Sequence, residues 1–188
     1  MSKNSLTSTS KFLSLVLRHK PEVIGMELDA NGWIEIEALI RNANKHGSSI
    51  TLEMLHDVVS TSDKQRFCLS EDGLRIRANQ GHSVPDVNLD LSPVVPPDQL
   101  FHGTVGQFIE SIGSSGLSKR SRNHVHLTAD IETAKKVGAR RGSPVVLTIE
   151  AKEMHEAGYL FFLSANNVWL TESVPVEFIT FPEGHGLA

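Results

Sequence analysis

Apolar positions recur along this chain with two different periods, and the change of period divides it. Phe12, Leu13, Val16 and Leu17 fall on one face of a helix, which is predicted to end near Lys20 because Pro21 disfavours helical geometry at its neighbour. The Ser/Thr-rich first ten residues are expected to fray. Asn31-Gly32 marks a turn. Ile36, Leu39 and Ile40 predict a second helix ending before Gly47, and Thr51 is placed to cap a third that runs through Leu52, Leu55, Val58 and Val59. Residues 66–69 and 74–78 then read as a hairpin about the polar turn Glu71-Asp72-Gly73. Helices followed by a hairpin match a winged helix-turn-helix.

Beyond this the chain is richer in strands, predicted at 99–102, 125–128, 144–150, 159–163, 168–170 and 176–181. Helical periodicity is confined to 105–112, 131–137 and a short stretch after Lys152. The pattern predicts an α+β chain whose second lobe is a compact mixed sheet with peripheral helices. It has neither repeated βα units nor a GxGxxG or GxxxxGK[ST] run, so a doubly wound nucleotide fold is excluded. Between the lobes, residues 83–98 hold four prolines and little periodicity. The boundary is placed near Pro96, giving lobes 1–96 and 97–188.

The 188 residues, 39% apolar and 21% charged, are ordinary for a folding chain and exclude a disordered tail or a disulfide scaffold. Cys68 is the single cysteine, which fits a reducing cytoplasm. The N-terminus lacks the apolar core of a secretory signal, and no apolar run approaches a membrane span. A soluble cytoplasmic protein is expected, as a monomer, since two lobes of this size need no partner to complete their cores. A net charge of −4 argues against indiscriminate nucleic-acid binding but leaves room for a local phosphate site. Within 119–141, Lys119, Arg120, Arg122, Lys135, Lys136, Arg140 and Arg141 face only Asp130 and Glu132, a net +5.

Several segments carry candidate chemistry. Leu17-Arg18-His19-Lys20-Pro21 places three cationic or titratable side chains at a helix end, suited to the helix dipole or to a phosphate clamp. Asp63-Lys64-Gln65-Arg66-Phe67 opens the hairpin, and Arg75 to Ser83 closes it with Arg75 and Arg77 on one face and the polar run Asn79-Gln80-Gly81-His82-Ser83. His102-Gly103-Thr104 ends a strand with groups able to bind a carboxamide and a ribose hydroxyl, or merely to turn the chain. His124 and His126 share a strand face, but no third ligand stands at a suitable spacing and no metal is expected.

Taken in order, LRHKP, LDANGW, DKQRF, IRANQGHS, LFHGT, HVHLTAD, VGARRGSPVVL and NNVWLTESVP strongly resemble the KptA family of RNA 2'-phosphotransferases, over roughly residues 11–182. The resemblance implies a winged-helix RNA lobe joined to an ADP-ribosyltransferase-like lobe that binds NAD as co-substrate. It implies removal of an internal 2'-phosphate from RNA, of the tRNA splice-junction type, in two steps. The phosphate first attacks NAD and expels nicotinamide to give an RNA-phospho-ADP-ribose intermediate. The second step leaves 2'-hydroxyl RNA and ADP-ribose 1'',2''-cyclic phosphate.

By motif matching, the family's catalytic set falls on Arg18, His19, Arg66 and Arg140, with Arg141 the alternative to the last. Its NAD pocket falls on His102, Gly103, Thr104, Gly116 and His126. Its RNA phosphate site falls on Arg18, His19, Lys64, Arg66, Arg77, Gln80 and His82. Asn167 stands where the family usually has glycine. The competing classes are a nucleic-acid-end ADP-ribosyltransferase that stops after the first step, and a non-catalytic winged-helix nucleic-acid-binding protein.

Overall fold

A computed structural model describes residues 3–62, 64–84 and 87–184, with side chains from Ser5. The chain divides into two compact units, Met1–Asp90 and Leu91–Ala188. Residues 91–96, expected in the connector, belong to the second unit: Pro93 pairs with Phe162, and the Val94 N–H donates to the Phe161 carbonyl at 2.8 Å.

The first unit opens with helix α1, Lys3–Arg18. The helix reaches through the Ser/Thr-rich segment that was expected to fray from its low helix propensity, because Thr9 is buried there above Leu13, Val16 and Leu17. Strand β1, Ile34–Glu35, leads into α2, Ile36–Lys45. The third helix, α3, Leu52–Ser60, is capped as expected by Thr51, whose side chain accepts from the Met54 N–H. Strands β2, Phe67–Leu69, and β3, Arg75–Ala78, form the hairpin, and β1 pairs antiparallel on the other side of β3 with Ile34 opposite Ile76. The resulting sheet has the order β1-β3-β2. Alternation puts Ile76 and Ala78 into a core with Leu17, Ile24, Leu39 and Leu55, and leaves Arg75 and Arg77 on the opposite face.

The second unit begins with β4, Leu100–Val105, which ends three residues beyond the strand predicted at 99–102. A single 3-10 turn then precedes α4, Ile109–Ser115. Next come β5, Leu117–Ser118; β6, Val125–Leu127; α5, Ile131–Gly138; β7, Pro144–Ile149; and α6, Ala151–Glu156. Four short strands follow: β8, Phe162–Leu163; β9, Trp169–Thr171; β10, Ser173–Val174; and β11, Ile179–Thr180. The described pairings are all antiparallel, in sheets ordered β11-β7-β4, β6-β9-β8 and β10-β5, so the unit has several small antiparallel sheets instead of one mixed sheet. A bridge from Phe101 to Thr128 ties β4 to the end of β6. Leu100, Leu147, Ile149, Met154 and Phe161 are buried at the centre.

Two glycines let α5 lie directly on β4. A Cβ on Gly103 would stand 1.8 Å from the Ala134 carbonyl oxygen, and one on Gly138 would stand 2.6 Å from that of Thr104. At Asn167 the backbone is left-handed, φ 58°, and its N–H donates to the Ser164 carbonyl at 2.9 Å. Asparagine tolerates this conformation, so the turn forms without the usual glycine.

Candidate active site

In the first unit the end of α1, the start of β2 and the segment after β3 come together. The Ser83 N–H donates to the Arg18 carbonyl at 2.8 Å, and His19 Nδ1 lies 2.9 Å from the Ser83 hydroxyl, so one serine fixes both residues after the helix ends. Arg18 donates through Nη2 to the Arg66 carbonyl at 3.3 Å, and its guanidinium lies over the Phe67 ring, 5.8 Å from the centroid. The Asn79 N–H donates to the same Arg66 carbonyl at 2.9 Å. Gly81, at φ 84°, keeps the chain close to this guanidinium: a Cβ there would stand 3.7 Å from Arg18 Nη1. A half-buried arginine held by stacking and a backbone bond has little rotamer freedom left to lose when it grips an anion.

His19, Lys64 and Arg66 open onto a cavity of about 660 Å³ between α1 and α3, which Ser14 and Thr61 also line. Asp63, quoted with the DKQRF motif, lies outside the described residues. Two of the expected phosphate ligands contact the Asn31-Gly32 turn. Arg77 stacks on Trp33, 4.5 Å from the ring centroid, and reaches the Asn31 carbonyl at 3.4 Å. His82 is 2% exposed, with its ring against Gly32. Gln80 is half-buried beside them in sequence.

In the second unit the site is built on β4 and β6. His102 Nδ1 lies 3.0 Å from the His126 main-chain carbonyl. A carbonyl only accepts, so Nδ1 carries the proton. Burial first, and then the charges of Arg122 and Arg141, hold the His102 pKa below the ordinary imidazole value, opposed by the bond to His126. The ring is therefore neutral near pH 7 and presents Nε2 as an acceptor.

Arg122 Nη1 lies 2.9 Å from His126 Nδ1, which must accept because a guanidinium only donates. Desolvation and then the charges of Arg141 and Arg140 push the Arg122 pKa down. Within the +5 stretch, Lys119 pairs with Glu172 and Lys135 with Glu132. Among the described residues, Arg122, Arg140 and Arg141 have no carboxylate within ion-pair distance. Arg122, close enough to Arg140 and Arg141 to feel their charge and bonded to His126, is part of a set whose repulsion an anion would relieve.

Of the other expected cofactor ligands, Thr104 is 8% exposed in β4, and Gly103 is pressed against α5. Gly116 ends α4 at φ 72°, where a Cβ would stand 2.2 Å from the Val174 carbonyl oxygen. Packing by itself requires glycine at both positions. Arg122 is the residue that sequence reasoning did not place in a site. Its signal lay in the charge run, where the nearby glutamates neutralise other members. His124 packs its ring against Phe162, 5.9 Å between centroids.

These features define an α+β protein with a cluster of cationic and imidazole side chains in each of its two units. Residues 4–173 match the family model described as RNA 2'-phosphotransferase, Tpt1 / KptA family. The chain is 60% identical over 177 residues to a probable RNA 2'-phosphotransferase of Rhodopirellula baltica, covering 94% of this chain and 96% of that one. It is 54% identical over 183 residues to a protein of the same description from Hahella chejuensis, covering 95% and 98%. A third, from Flavobacterium johnsoniae, is 52% identical over 181 residues, covering 96% and 99%. The chain belongs to the Tpt1 / KptA family of RNA 2'-phosphotransferases.

Proposed function

We propose that the protein removes an internal 2'-phosphate from RNA by transferring it to NAD, with tRNA carrying a splice-junction 2'-phosphate as the RNA. The observation that carries the NAD reading is the second unit's cluster: His102 bonded to the His126 carbonyl, His126 bonded to Arg122, and the charges of Arg122 and Arg141 acting on the His102 ring. A dinucleotide offers a diphosphate to the guanidinium groups and a ribose hydroxyl to the bare His102 Nε2, so the residues present fit it. In this reading the first unit, Met1–Asp90, is a winged-helix RNA lobe and the second, Leu91–Ala188, an ADP-ribosyltransferase-like lobe. Thr104, Gly103, Gly116 and His126 shape the dinucleotide site, and no described helix is long and apolar enough to cross a membrane.

NAD, when bound, supplies an electrophilic ribose carbon with nicotinamide as its leaving group. The attacking 2'-phosphate is already anionic, so no side chain has to act as a base to generate it. Arg18 and Arg66 then orient the phosphate and neutralise part of its charge, and Lys64 adds a point charge beside them. In this reading His19, which bonds to Ser83, gives a proton to the departing RNA 2'-oxygen or takes one from the ribose hydroxyl. Arg140 stabilises the negative charge that gathers on the phosphoryl oxygens in the second transfer. Arg140→Ala is expected to release nicotinamide faster than it frees RNA 2'-hydroxyl. Equal rates for both products, unchanged from the parent protein, would remove that role.

The test of the whole reading is a short RNA with one internal radiolabelled 2'-phosphate, incubated with and without NAD. NAD-dependent passage of the label to a small cyclic phosphate is the expected result. Label that stays on the RNA while nicotinamide is released would indicate an ADP-ribosyltransferase that stops at the first step. No NAD-dependent change would leave a binding protein.

A further inference from the structure

Helix α1 has no acidic residue in its 16 positions, and its outer face is rich in hydroxyls. Thr7, Lys11 and Ser14 follow the i, i+4, i+7 spacing that places side chains above one another on a helix, and all three line the cavity of about 660 Å³ that ends at His19, Lys64 and Arg66. Thr61 and Ser62, just beyond the end of α3, close the far wall. The Ser62 hydroxyl is buried with no hydrogen-bond partner among the described residues. Leu15, 39% exposed, gives the groove an apolar shelf. Among the described residues, none that lines it is acidic.

We propose that this groove holds the RNA strand flanking the 2'-phosphate, with Lys11 on a backbone phosphate and the hydroxyls on phosphate and sugar oxygens. The proposal rests on the phosphotransferase reading above and extends its RNA site along α1. A cavity lined by lysine, arginine, histidine and hydroxyl side chains with an apolar shelf matches single-stranded nucleic acid, whose backbone is charged and whose base faces are apolar. From His19 to Lys11 the helix rises about 12 Å, the length of about three stacked nucleotides. A dinucleotide substrate therefore does not reach Lys11, whereas an octanucleotide with a central 2'-phosphate does.

The test compares the parent protein with Lys11→Ala and Ser14→Leu, both compatible with a helix. Turnover is measured on a 2'-phosphorylated dinucleotide and on an octaribonucleotide carrying the phosphate at its centre. Binding of the fluorescein-labelled octanucleotide is followed by anisotropy across a range of salt. Lys11→Ala is expected to raise KM for the octanucleotide about tenfold, to leave the dinucleotide unchanged, and to flatten the slope of log Kd against log salt by about 0.7, the value for one phosphate contact on a single strand. Ser14→Leu is expected to weaken the octanucleotide without changing that slope. An unchanged slope in Lys11→Ala, or equal losses on both substrates, overturns the groove. Lys11-dependent binding by a protein that turns over neither substrate overturns the catalytic reading and upholds the groove.

Discussion

The His102 ring donates from Nδ1 to the main-chain carbonyl of His126, 3.0 Å away, and this one bond decides which nitrogen the ring offers to a ligand. His126 in turn accepts at its own Nδ1 from Arg122 at 2.9 Å. An arginine, a histidine side chain, a main-chain carbonyl and a second imidazole are thus joined in sequence. The charge at one end and the acceptor at the other are set together.

Burial and neighbouring positive charge lower the pKa of His102, and burial and Lys119 lower that of His124. An imidazole that resists protonation when folded stabilises the protein in full above the unfolded value of about 6.5, and that contribution is lost as pH falls through the lowered folded-state value. Denaturant midpoints are expected to drop between pH 7.5 and 5.5, and nitrogen NMR should show His102 as the neutral Nδ1–H form at pH 7. A midpoint that rises on acidification, or an Nε2–H ring, would contradict the assignment.

Removing Arg122 takes a positive charge from beside His102. Arg122→Ala is expected to move the His102 titration midpoint upward and to raise KM for NAD about tenfold, the loss of one charge contact worth about 1.4 kcal/mol. NMR titration and steady-state kinetics check the two effects separately. A downward shift would show that Arg122 does not act on the ring through its charge.

The approach of α5 to β4 leaves no room for a methyl group at Gly103. Gly103→Ala is expected to destabilise the second unit by about 3 kcal/mol or more in urea unfolding, since the Ala134 carbonyl is backbone and cannot turn aside. A Cβ on Gly106 would meet nothing within 4 Å, and the residue has no positive φ. Gly106→Ala should therefore stay within about 1 kcal/mol of the parent. Similar losses for both would show that the close contact is not what selects glycine at 103.

Arg77 lies on the Trp33 ring, with Arg75 5.6 Å from the same centroid and 3.9 Å from Asp29. Arg77→Ala is expected to cost about 1 kcal/mol of stability and to alter Trp33 fluorescence, while octanucleotide affinity stays within twofold. A large loss of RNA affinity without loss of stability would return Arg77 to the phosphate site.

Much of the local structure was written in the sequence. The helix that buries Leu13, Val16 and Leu17, the Thr51 cap and the hairpin around Glu71-Asp72-Gly73 each depend on residues within a few positions of one another. Periodicity and turn chemistry therefore expose them, and the ordered motifs were enough to point to the family. Contacts between distant segments stayed hidden. Burial of Thr9 overrode the poor helix propensity around it, and the strands of the second unit, taken singly, carry no mark of how they divide among small sheets.

The same holds for the site. LRHKP and DKQRF marked Arg18, His19 and Arg66 as cations, but only the folded chain hangs Arg18 from the Arg66 carbonyl, 48 positions along, and holds His19 to Ser83, 64 positions away. The positive charge of the 119–141 run is visible in the sequence, yet only the folded chain pairs Lys119 and Lys135 with carboxylates and brings the charges of Arg122 and Arg141 to bear on His102. The chain by itself determined which chemical groups are present and which short elements carry them. Tertiary structure decided which groups meet, which ring nitrogen keeps its proton and which cations lack a carboxylate, because these depend on distance and burial between segments far apart in sequence.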